Sequence, residues 1–399
     1  MQKSAAFVEL TKTAQVSDKT HGARAKCLQR LLRLDMPVPR TAAIPASTVR
    51  ALAHGETFNL APLMAIFGSA PLVSVRPSPE VAEWGGPSAV LDVGMNDAKL
   101  VQLSETVGQN AARKLYHRFI QSFAVDVARL DPDLFEVPKE PTHDSLSHAL
   151  QAYEEEMDEP FPQEPTAQMA AILRAMARAW DGTTARILRQ AKGAPEDAGL
   201  GLVVQEMALG AGPTESGSGV IQFVSSDSGR AKITGRYLSQ SQGREALEEG
   251  SESLFLSRDP RGPSLEELCP SAFADLQRMG ETLRRGLREE MQIEFTLDAG
   301  ELRVLDAVRV PRSARAAVRV AVSLAENGVI SREDALLRVE PRALTELLHR
   351  QVDPDAERSV IAAGMAASPG AASGKLVFSA DAAQAAKAQD IDCILVRPE

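Results

Sequence analysis

The sequence predicts an α+β protein with more than one domain. Alanine- and arginine-rich stretches with one apolar face are typical of helices, and short β-branched runs between turn residues are typical of strands. The strand-like runs collect in two regions, with helical stretches between and after them. A chain of 399 residues also exceeds the size at which one hydrophobic core stops growing, so we expect about two to four domains.

Composition and charge argue against two classes of partner. The formal net charge is −10 without a large basic patch, so nucleic acid is not an expected partner. The amino terminus lacks the apolar stretch of a signal peptide, and no run of about 18 apolar residues occurs, so we expect no membrane partner. The three cysteines lack metal-ligand spacing and are typical of reduced thiols, which predicts a cytoplasmic location.

The first half of the chain contains one clear strand among helical stretches. Apolar spacing predicts a helix over 22–34, and the run 72–76 predicts a strand that ends at Pro77 with Arg76 as its last residue. Residues 111–129 and 165–191 are again helical, with a polar, proline-rich stretch between them. Together they predict an inserted helical subdomain.

The second half begins with strand-like runs. The runs 201–207, 219–224 and 231–234 predict one antiparallel sheet, a helix is predicted over 271–291, and residues 293–305 predict a hairpin. Residues 313–349 are helical. After Pro354 a new small domain is expected, whose last strand at 393–397 lacks a partner.

The hairpin places a carboxylate away from its apolar layer. Strand alternation puts Glu294 on the face opposite Ile293 and Phe295. If the turn is residues 298–300, Glu294 faces Val304 and Asp306 is its diagonal neighbour. Two carboxylates on one face could share Mg²⁺, which prefers oxygen ligands. The alternative is a pair of solvated side chains on an exposed hairpin.

Two further features could bind phosphate. The stretch ESGSG at 215–219 precedes a strand and could present backbone N–H groups to a phosphate, or it could be a flexible hairpin turn. Arg76 at a strand end could clamp a phosphate in bidentate fashion, or could lie on the surface. The six histidines show neither metal spacing nor a nucleophile pattern.

The order of short motifs resembles the pyruvate, phosphate dikinase family along nearly the whole chain. The matching motifs are MPVP at 36–39, SVR at 74–76, GMND at 94–97, RFIQ at 118–121, FPQEP at 161–165, GSGV at 217–220, QG at 242–243, IEFT at 293–296, ENGVISREDA at 326–335 and AASPGAASG at 366–374. The last two are the most specific. Related phosphoenolpyruvate synthases match the 313–349 helices less well.

The resemblance implies an ATP-grasp nucleotide-binding domain with a helical insertion, then linker helices, then the start of a swivelling phosphohistidine domain. The corresponding limits are a first lobe at 1–110, the insertion at 111–198, a second lobe at 199–312, linker helices at 313–355 and an incomplete phosphohistidine domain at 356–399. The family's phosphohistidine and its pyruvate barrel are not among these residues, so a phosphohistidine domain or barrel, in cis or in trans, is an implied partner. We expect a monomer.

The resemblance also implies a nucleotide site and a metal site. Its nucleotide-binding residues are Arg24, Arg76, Gln205, Met207, Gly217, Gly219 and Glu294, and its metal ligands are Glu294 and Asp306, with Mg²⁺ and ATP as the implied cofactors. Several positions depart from the family pattern. Arg24 stands at a lysine position and Asp306 at a glutamine position, while Val224 and Val308 stand at arginine positions.

Two functions therefore compete. One is an ATP-binding phosphotransferase module that phosphorylates a histidine outside this chain, with Arg309 or Arg312 replacing a missing cation. The other is a catalytically degenerate relative that senses nucleotide or binds a partner. One cationic clamp in phosphoryl transfer is worth up to about 10³–10⁵ in rate, so the loss of arginines favours the second, whereas the resemblance favours the first. Whether the chain is an enzyme stays open at this stage.

Overall fold

The chain forms two compact units. The computed structural model describes residues 5–241, 253–350, 352–353, 356–357, 359–361 and 370–397. One unit comprises 1–223 and 232–310, and the other comprises 224–231 and 311–399. None of the helices in the described ranges has the length and apolar character needed to cross a bilayer.

The first unit contains a five-stranded antiparallel sheet. Its strands are β1 (Val8–Glu9), β2 (Thr41–Ile44), β3 (Val73–Pro79), β4 (Val90–Val93) and β5 (Leu200–Glu206), in the order β1-β2-β5-β3-β4. The predicted sheet over 201–234 is therefore wrong in one respect, because its first strand lies at the centre of this earlier sheet. Strand β3 also continues past Pro77. Its pairing with β4 stops at Val75 opposite Val90, so Pro77 lies where β3 has a neighbour only on the β5 side, and its missing N–H costs no ladder bond with β4.

Helices cover one face of this sheet. They are α2 (Ala46–Ala53), α3 (Ala61–Ala65), α4 (Asp97–Val107), α5 (Gln109–Ser122), α6 (His143–Met157), α7 (Pro165–Asp181) and α8 (Thr183–Ala191), and short turns of helix occupy Ala82–Trp84, Phe123–Ala128 and Pro132–Phe135. The proline-rich stretch expected to separate two helices contains α6, which begins with a capping box between Thr142 and Ser145. An aromatic cluster of Phe119, Phe123 and Phe161 packs this part together.

A second sheet has the order β7-β6-β8-β9. Its strands are β6 (Gly217–Val224), β7 (Ala231–Ser239), β8 (Met291–Asp298) and β9 (Glu301–Arg309). Helices α9 (Leu265–Leu268) and α10 (Pro270–Leu287) lie between β7 and β8 in the chain. The β8–β9 hairpin is confirmed, but its predicted register is wrong. Its turn is the two residues Ala299 and Gly300, both with positive φ, as tight hairpins prefer. This turn alone would set Glu294 opposite Leu305. A bulge between Glu294 and Phe295 shifts the register by one more residue, so Glu294 pairs directly with Asp306.

Helix α1 (Asp18–Arg33) belongs to a core shared with the second sheet. Its residues Leu28 and Leu31 are fully buried there together with Ile293 of β8. On β5, Val203 points into this core while Leu202 points into the helical core on the other face, as strand alternation requires. The first sheet is therefore covered on both faces.

The second unit is mainly helical. Its elements are α11 (Ala314–Glu326), α12 (Arg332–Leu337), α13 (Pro341–Leu348), β10 (Lys375–Val377), α14 (Ala380–Ala388) and β11 (Cys393–Leu395). The expectation of a final strand without a partner is wrong, because β11 pairs in parallel with β10 through Leu376 and Ile394. Of the matching motifs, 242–243 and the first four residues of 366–374 lie outside the described residues.

Truncating Leu28 to alanine should strongly destabilise the first unit. Its side chain is 0% exposed in the core between α1 and the second sheet, so Leu28→Ala leaves a cavity that costs about 2–5 kcal/mol of unfolding free energy. Urea unfolding followed by far-UV circular dichroism measures this. Lys19→Ala, an exposed change on the same helix, is the control, and equal midpoints for the two variants would contradict the packing described.

Candidate nucleotide site

Two ion pairs connect the elements of the first sheet to the β8–β9 hairpin. Arg24 of α1 contacts Asp306 of β9, with 2.7 Å between its Nε and the carboxylate Oδ2. Arg76 of β3 contacts Glu294 of β8. The structure thus brings together the four charged residues that the resemblance assigned to the site, and it pairs each cation with a carboxylate.

Arg24 reaches the hairpin because α1 lies directly against β3. Gly22 has a φ of +84°, and a Cβ atom there would lie 1.7 Å from the carbonyl oxygen of Ser78. Three residues further along the helix, the Ala25 amide donates to the Ser78 hydroxyl at 3.1 Å. This close approach places the Arg24 guanidinium beside the end of β9.

In the Arg24–Asp306 pair the carboxylate is buried and the Arg24 side chain is 25% exposed. Asp306 is 2% exposed, and its second carboxylate oxygen accepts from the Ala307 amide at 2.8 Å. Arg24 also donates to the Pro77 carbonyl at 3.1 Å. Burial lowers the pKa of the guanidinium, but the nearby carboxylates of Asp306 and Glu294 outweigh it and raise the pKa above its usual value. Both oxygens of Asp306 are therefore occupied by protein donors.

The Arg76–Glu294 pair is less enclosed. The Arg76 side chain is 9% exposed and that of Glu294 is 20% exposed. Arg76 also donates weakly to the Leu305 carbonyl, at 3.4 Å. The expectation that Arg76 could be an ordinary surface arginine is wrong, and so is the picture of both carboxylates as solvated, because only Glu294 retains partial access to solvent.

The carboxylates do not form a metal site on their own. Among the described residues no group of three or more His, Cys, Asp or Glu side chains is placed to hold a metal ion. Mg²⁺ in phosphate-binding sites is usually held by one or two carboxylates together with the phosphates. Glu294 fits the role of a single carboxylate ligand once Arg76 moves away, whereas Asp306 does not fit, because Arg24 and a backbone amide already occupy its oxygens.

The space between the two sheets is closed. The cavity lined by Arg76, Gln205, Met207, Thr296 and neighbouring residues has a volume of about 20 Å³. Ligand pockets usually measure about 300–1,000 Å³, so a nucleotide has no room here while the ion pair holds. Gln205 is itself 1% exposed and donates to the Thr41 hydroxyl at 3.2 Å. An opening of about 360 Å³ adjoins this cavity at Met207.

The glycines of the predicted phosphate loop are strand residues. Gly217 and Gly219 begin β6, which has a strand on each side, so ladder hydrogen bonds use its backbone groups. A Cβ atom on Gly219 would lie 2.8 Å from the Phe295 ring, and one on Gly217 would lie 2.2 Å from the Leu238 carbonyl. The two glycines therefore lie in a strand, and not in the loop or turn that the sequence suggested, while their predicted contact with a nucleotide stays a prediction. These glycines permit close packing.

Sequence reasoning missed two features at this site. Arg40 pairs with Glu206 at 2.9 Å on the wall of the adjoining opening, and Thr296 contacts the Ser218 hydroxyl at 3.0 Å inside the closed space. The MPVP motif immediately before Arg40 was the available signal, because it placed this residue at a turn leading into a strand. No local pattern indicated Thr296.

The fold and the site define an α+β protein whose candidate site lies between two antiparallel sheets, with arginines on one side and carboxylates on the other. No family model matches the chain. The chain is 33% identical over 352 residues to pyruvate, phosphate dikinase from Rhizobium meliloti, 32% identical over 350 residues to the Clostridium symbiosum protein, and 31% identical over 348 residues to pyruvate, phosphate dikinase 2 from Oryza sativa.

These matches cover 82% of the chain but only 38–39% of each relative. The chain is a partial, divergent member of the pyruvate, phosphate dikinase family, matched to its amino-terminal part. It thus spans about two fifths of the length of the curated relatives that it matches.

Removing Arg24 should lower the stability of the fold, because it leaves the buried Asp306 carboxylate without a partner. Arg24→Met should lower the unfolding free energy by about 3–5 kcal/mol, and the double variant Arg24→Met/Asp306→Leu should recover most of the loss. Chemical denaturation of the wild type and both variants measures the coupling. Arg303→Met, which breaks the exposed 2.7 Å pair with Glu301, should cost less than about 1 kcal/mol. A double variant no more stable than Arg24→Met would contradict the pairing.

Cys27 should resist alkylation. Its thiol donates to the Ala307 carbonyl at 3.0 Å, and burial together with the Asp306 carboxylate raises its pKa from 9.0 to about 12. Because the thiolate reacts, this shift lowers the reactive fraction at pH 8 by about a thousandfold. Mass spectrometry after iodoacetamide treatment at pH 8 should show Cys27 modified at least about a hundredfold more slowly than Cys269 and Cys393. Equal labelling in urea is the control, and equal labelling of the folded protein would show that α1 is not docked on β9.

Proposed function

We propose that this chain is an ATP-binding phosphotransferase module of the pyruvate, phosphate dikinase type, with its nucleotide site between the two sheets of the first unit. The proposal is supported by the 31–33% identity to dikinases over most of the chain. In it, the first unit is an ATP-grasp domain with a helical insertion, and the remainder is linker helices followed by the start of a swivelling phosphohistidine domain. The limits at 110, 198, 312 and 355 belong to this proposal, as does a cytoplasmic location.

The observation that carries the proposal is the Arg76–Glu294 pair. Nucleotide phosphates need a cation and the accompanying Mg²⁺ needs an oxygen ligand, and this pair contains one group of each kind. Entry of ATP with its magnesium would let each member of the pair exchange its partner without leaving an uncompensated charge. Arg76 would then bind phosphate, and Glu294 would be the protein's single metal ligand. Magnesium would supply charge neutralisation for phosphoryl transfer.

The exchange also explains how a closed site could remain a binding site. Opening requires Arg76 and Glu294 to separate, so the closed form reduces the apparent affinity by the fraction of molecules that are open. If closure is favoured by about 1.4 kcal/mol, the affinity falls about tenfold, which nucleotide binding can readily overcome. The Arg24–Asp306 pair need not separate, because the α1 core holds those two elements together.

The remaining predicted residues take supporting roles in this proposal. Arg24 adds positive potential near Glu294, and Gln205 and Met207 form the wall of the closed space. Gly217 and Gly219 shape the second sheet instead of binding phosphate through their backbone. A magnesium-binding role for Asp306 stays a prediction, and its contacts favour the positioning of Arg24. The phosphoryl acceptor would be a histidine outside these 399 residues, on a partner domain in cis or in trans.

One observation favours a second function, a catalytically degenerate module that senses nucleotide or binds a partner. Arg24 and Asp306, which stand at lysine and glutamine positions according to the resemblance, are bonded to each other and are not free for ATP. Valine at 308 further removes a cation expected in the site. In this alternative, nucleotide would bind without the protein contributing a metal ligand.

Magnesium dependence of ATP binding should distinguish the two functions. Calorimetric titration of the wild type should show tighter binding of ATP with Mg²⁺ than with a chelator. In Glu294→Gln the affinity for ATP in the presence of Mg²⁺ should fall roughly tenfold, because a charged metal ligand is removed. The affinities with Mg²⁺ and with the chelator should then be equal. Arg76→Met should weaken binding under both conditions, because it removes a charge-assisted contact to phosphate.

The matched control is Glu301→Gln, which neutralises an exposed carboxylate on the same hairpin and should leave binding unchanged. No binding by the wild type at millimolar ATP would sink the proposal that the cleft is a nucleotide site. Binding that ignores both Mg²⁺ and Glu294 would support the sensing function over the phosphotransferase.

A further inference from the structure

A large cavity lies in the helical insertion, away from the closed space between the sheets. It has a volume of about 1,240 Å³, compared with about 20 Å³ at the Arg76 site. Its walls are the outer side of α7, the start of α8, residues 123–129 and the loop of residues 84–87. None of the residues predicted for the nucleotide site lines it. We call it the α7 groove.

The charged residues lining the α7 groove are nearly all cationic. The cations are Arg129, Arg174, Arg178, Arg189 and Lys192, and the one carboxylate among the lining residues is Glu159. This contrasts with a formal net charge of −10 for the whole chain. Positive side chains concentrated in a concave site focus the potential there and favour anions.

Most of these cations lack an acidic partner. In the described part of the chain, Arg129, Arg174, Arg178 and Lys192 form no ion pair, and the Arg174 contact is to the Ala170 carbonyl of its own helix. Arg174 and Arg178 are one helical turn apart on α7, and like charges at that spacing destabilise a helix. A bound anion would relieve this repulsion.

Arg189 has a different role. It is 5% exposed, donates to the Trp180 carbonyl at 2.6 Å, and its guanidinium lies 3.7 Å from the centre of the Trp180 ring. Burial lowers the pKa of its guanidinium. This contact fixes α8 against the end of α7 and so sets the shape of the groove.

The α7 groove also has an apolar wall. Trp84, Val127, Met157 and Leu188 line it alongside the cations. The first N–H groups of α8 begin at the same wall, and Gly182 supplies no side chain to cap them. A ligand that fits has negative groups for the arginines and an apolar part for this surface.

We infer that the α7 groove binds a small amphipathic anion, a molecule with phosphate or carboxylate groups and an apolar portion. The size of the groove admits such a ligand, since pockets for small molecules usually measure about 300–1,000 Å³. The site is separate from the proposed nucleotide cleft and does not depend on it. Its ligand would contact the helical insertion.

The two tryptophans of the chain provide a direct readout. Trp84 and Trp180 are the only tryptophans, and both line the α7 groove. Titration with 8-anilinonaphthalene-1-sulfonate, an aromatic anion, should change their fluorescence in a saturable way, and inorganic pyrophosphate without magnesium should displace the dye. Raising the salt concentration should weaken both interactions, because the arginines are exposed to solvent.

The test uses Arg174→Ala/Arg178→Ala, which removes two exposed charges and keeps good helix formers. Displacement by pyrophosphate should weaken by at least about tenfold, because charge-assisted contacts are lost. Arg174→Lys/Arg178→Lys keeps both positive charges and should retain most of the affinity. This result would show that the loss in the double alanine variant comes from the missing charges. Arg186→Ala, an exposed change on α8 outside the groove, and Glu294→Gln at the cleft should both leave displacement unchanged.

Dye fluorescence that does not saturate, or pyrophosphate displacement that is equal in the wild type and the double alanine variant, would overturn the inference. Displacement that falls with Glu294→Gln but not with the α7 double variant would also overturn it, because the anion would then occupy the cleft. These outcomes leave the proposed nucleotide site untouched, since they are measured without magnesium or ATP.

Discussion

The buried ion pair between Arg24 and Asp306 is the contact on which the geometry of the candidate site depends. It joins α1 to β9, and it is supported by the Pro77 carbonyl and the Ala307 amide. Removing two charges from water costs several kcal/mol per ion, so such a pair persists only where its remaining hydrogen-bonding groups are satisfied. Because they are satisfied here, the pair fixes the distance between the first sheet and the hairpin.

The second pair differs in the property that matters for ligand entry. Glu294 keeps 20% of its side chain exposed, whereas Asp306 keeps 3%. Water can therefore replace Arg76 as the partner of Glu294 during opening, while nothing can replace Arg24 as the partner of Asp306 without exposing the α1 core. The structure thus combines one enclosed contact with one contact that water can reach.

The local elements of this fold could be predicted from the sequence, but their pairings could not. Apolar spacing located α1 and α7, and alternation located the β8–β9 hairpin. The predicted register is wrong for two reasons. Ala299 adopts a positive φ, which non-glycine residues rarely do, so the turn has only two residues, and a bulge between Glu294 and Phe295 adds a further shift. Likewise, the local sequence of β5 predicts a strand but does not indicate to which sheet the strand belongs. Its pairing with β2 and β3 places it in the first sheet.

The candidate site shows the same limit more sharply. Arg76 and Glu294 were identified through the resemblance, yet their contact joins residues 218 positions apart, and that of Arg24 with Asp306 joins residues 282 apart. No local pattern encodes such contacts. A glycine-rich stretch such as 217–219 is compatible with a phosphate loop and with a strand that packs tightly, so the sequence alone does not distinguish the two. The Phe295 ring lies so close to Gly219 that a side chain would not fit there, which explains the glycine in a strand.

The departures from the family pattern at positions 24 and 306 are coupled, because the two side chains contact each other. The resemblance implies lysine at position 24 and glutamine at position 306, and this chain has arginine and aspartate there, bonded at 2.7 Å. A planar guanidinium has the geometry to bind a carboxylate while also donating to the Pro77 carbonyl, which a point-charge ammonium does less well. Aspartate without an arginine nearby would be a buried charge without a partner, so each substitution is tolerable chiefly in the presence of the other. The two substitutions are therefore better understood as one coupled structural change than as two independent departures from the family pattern.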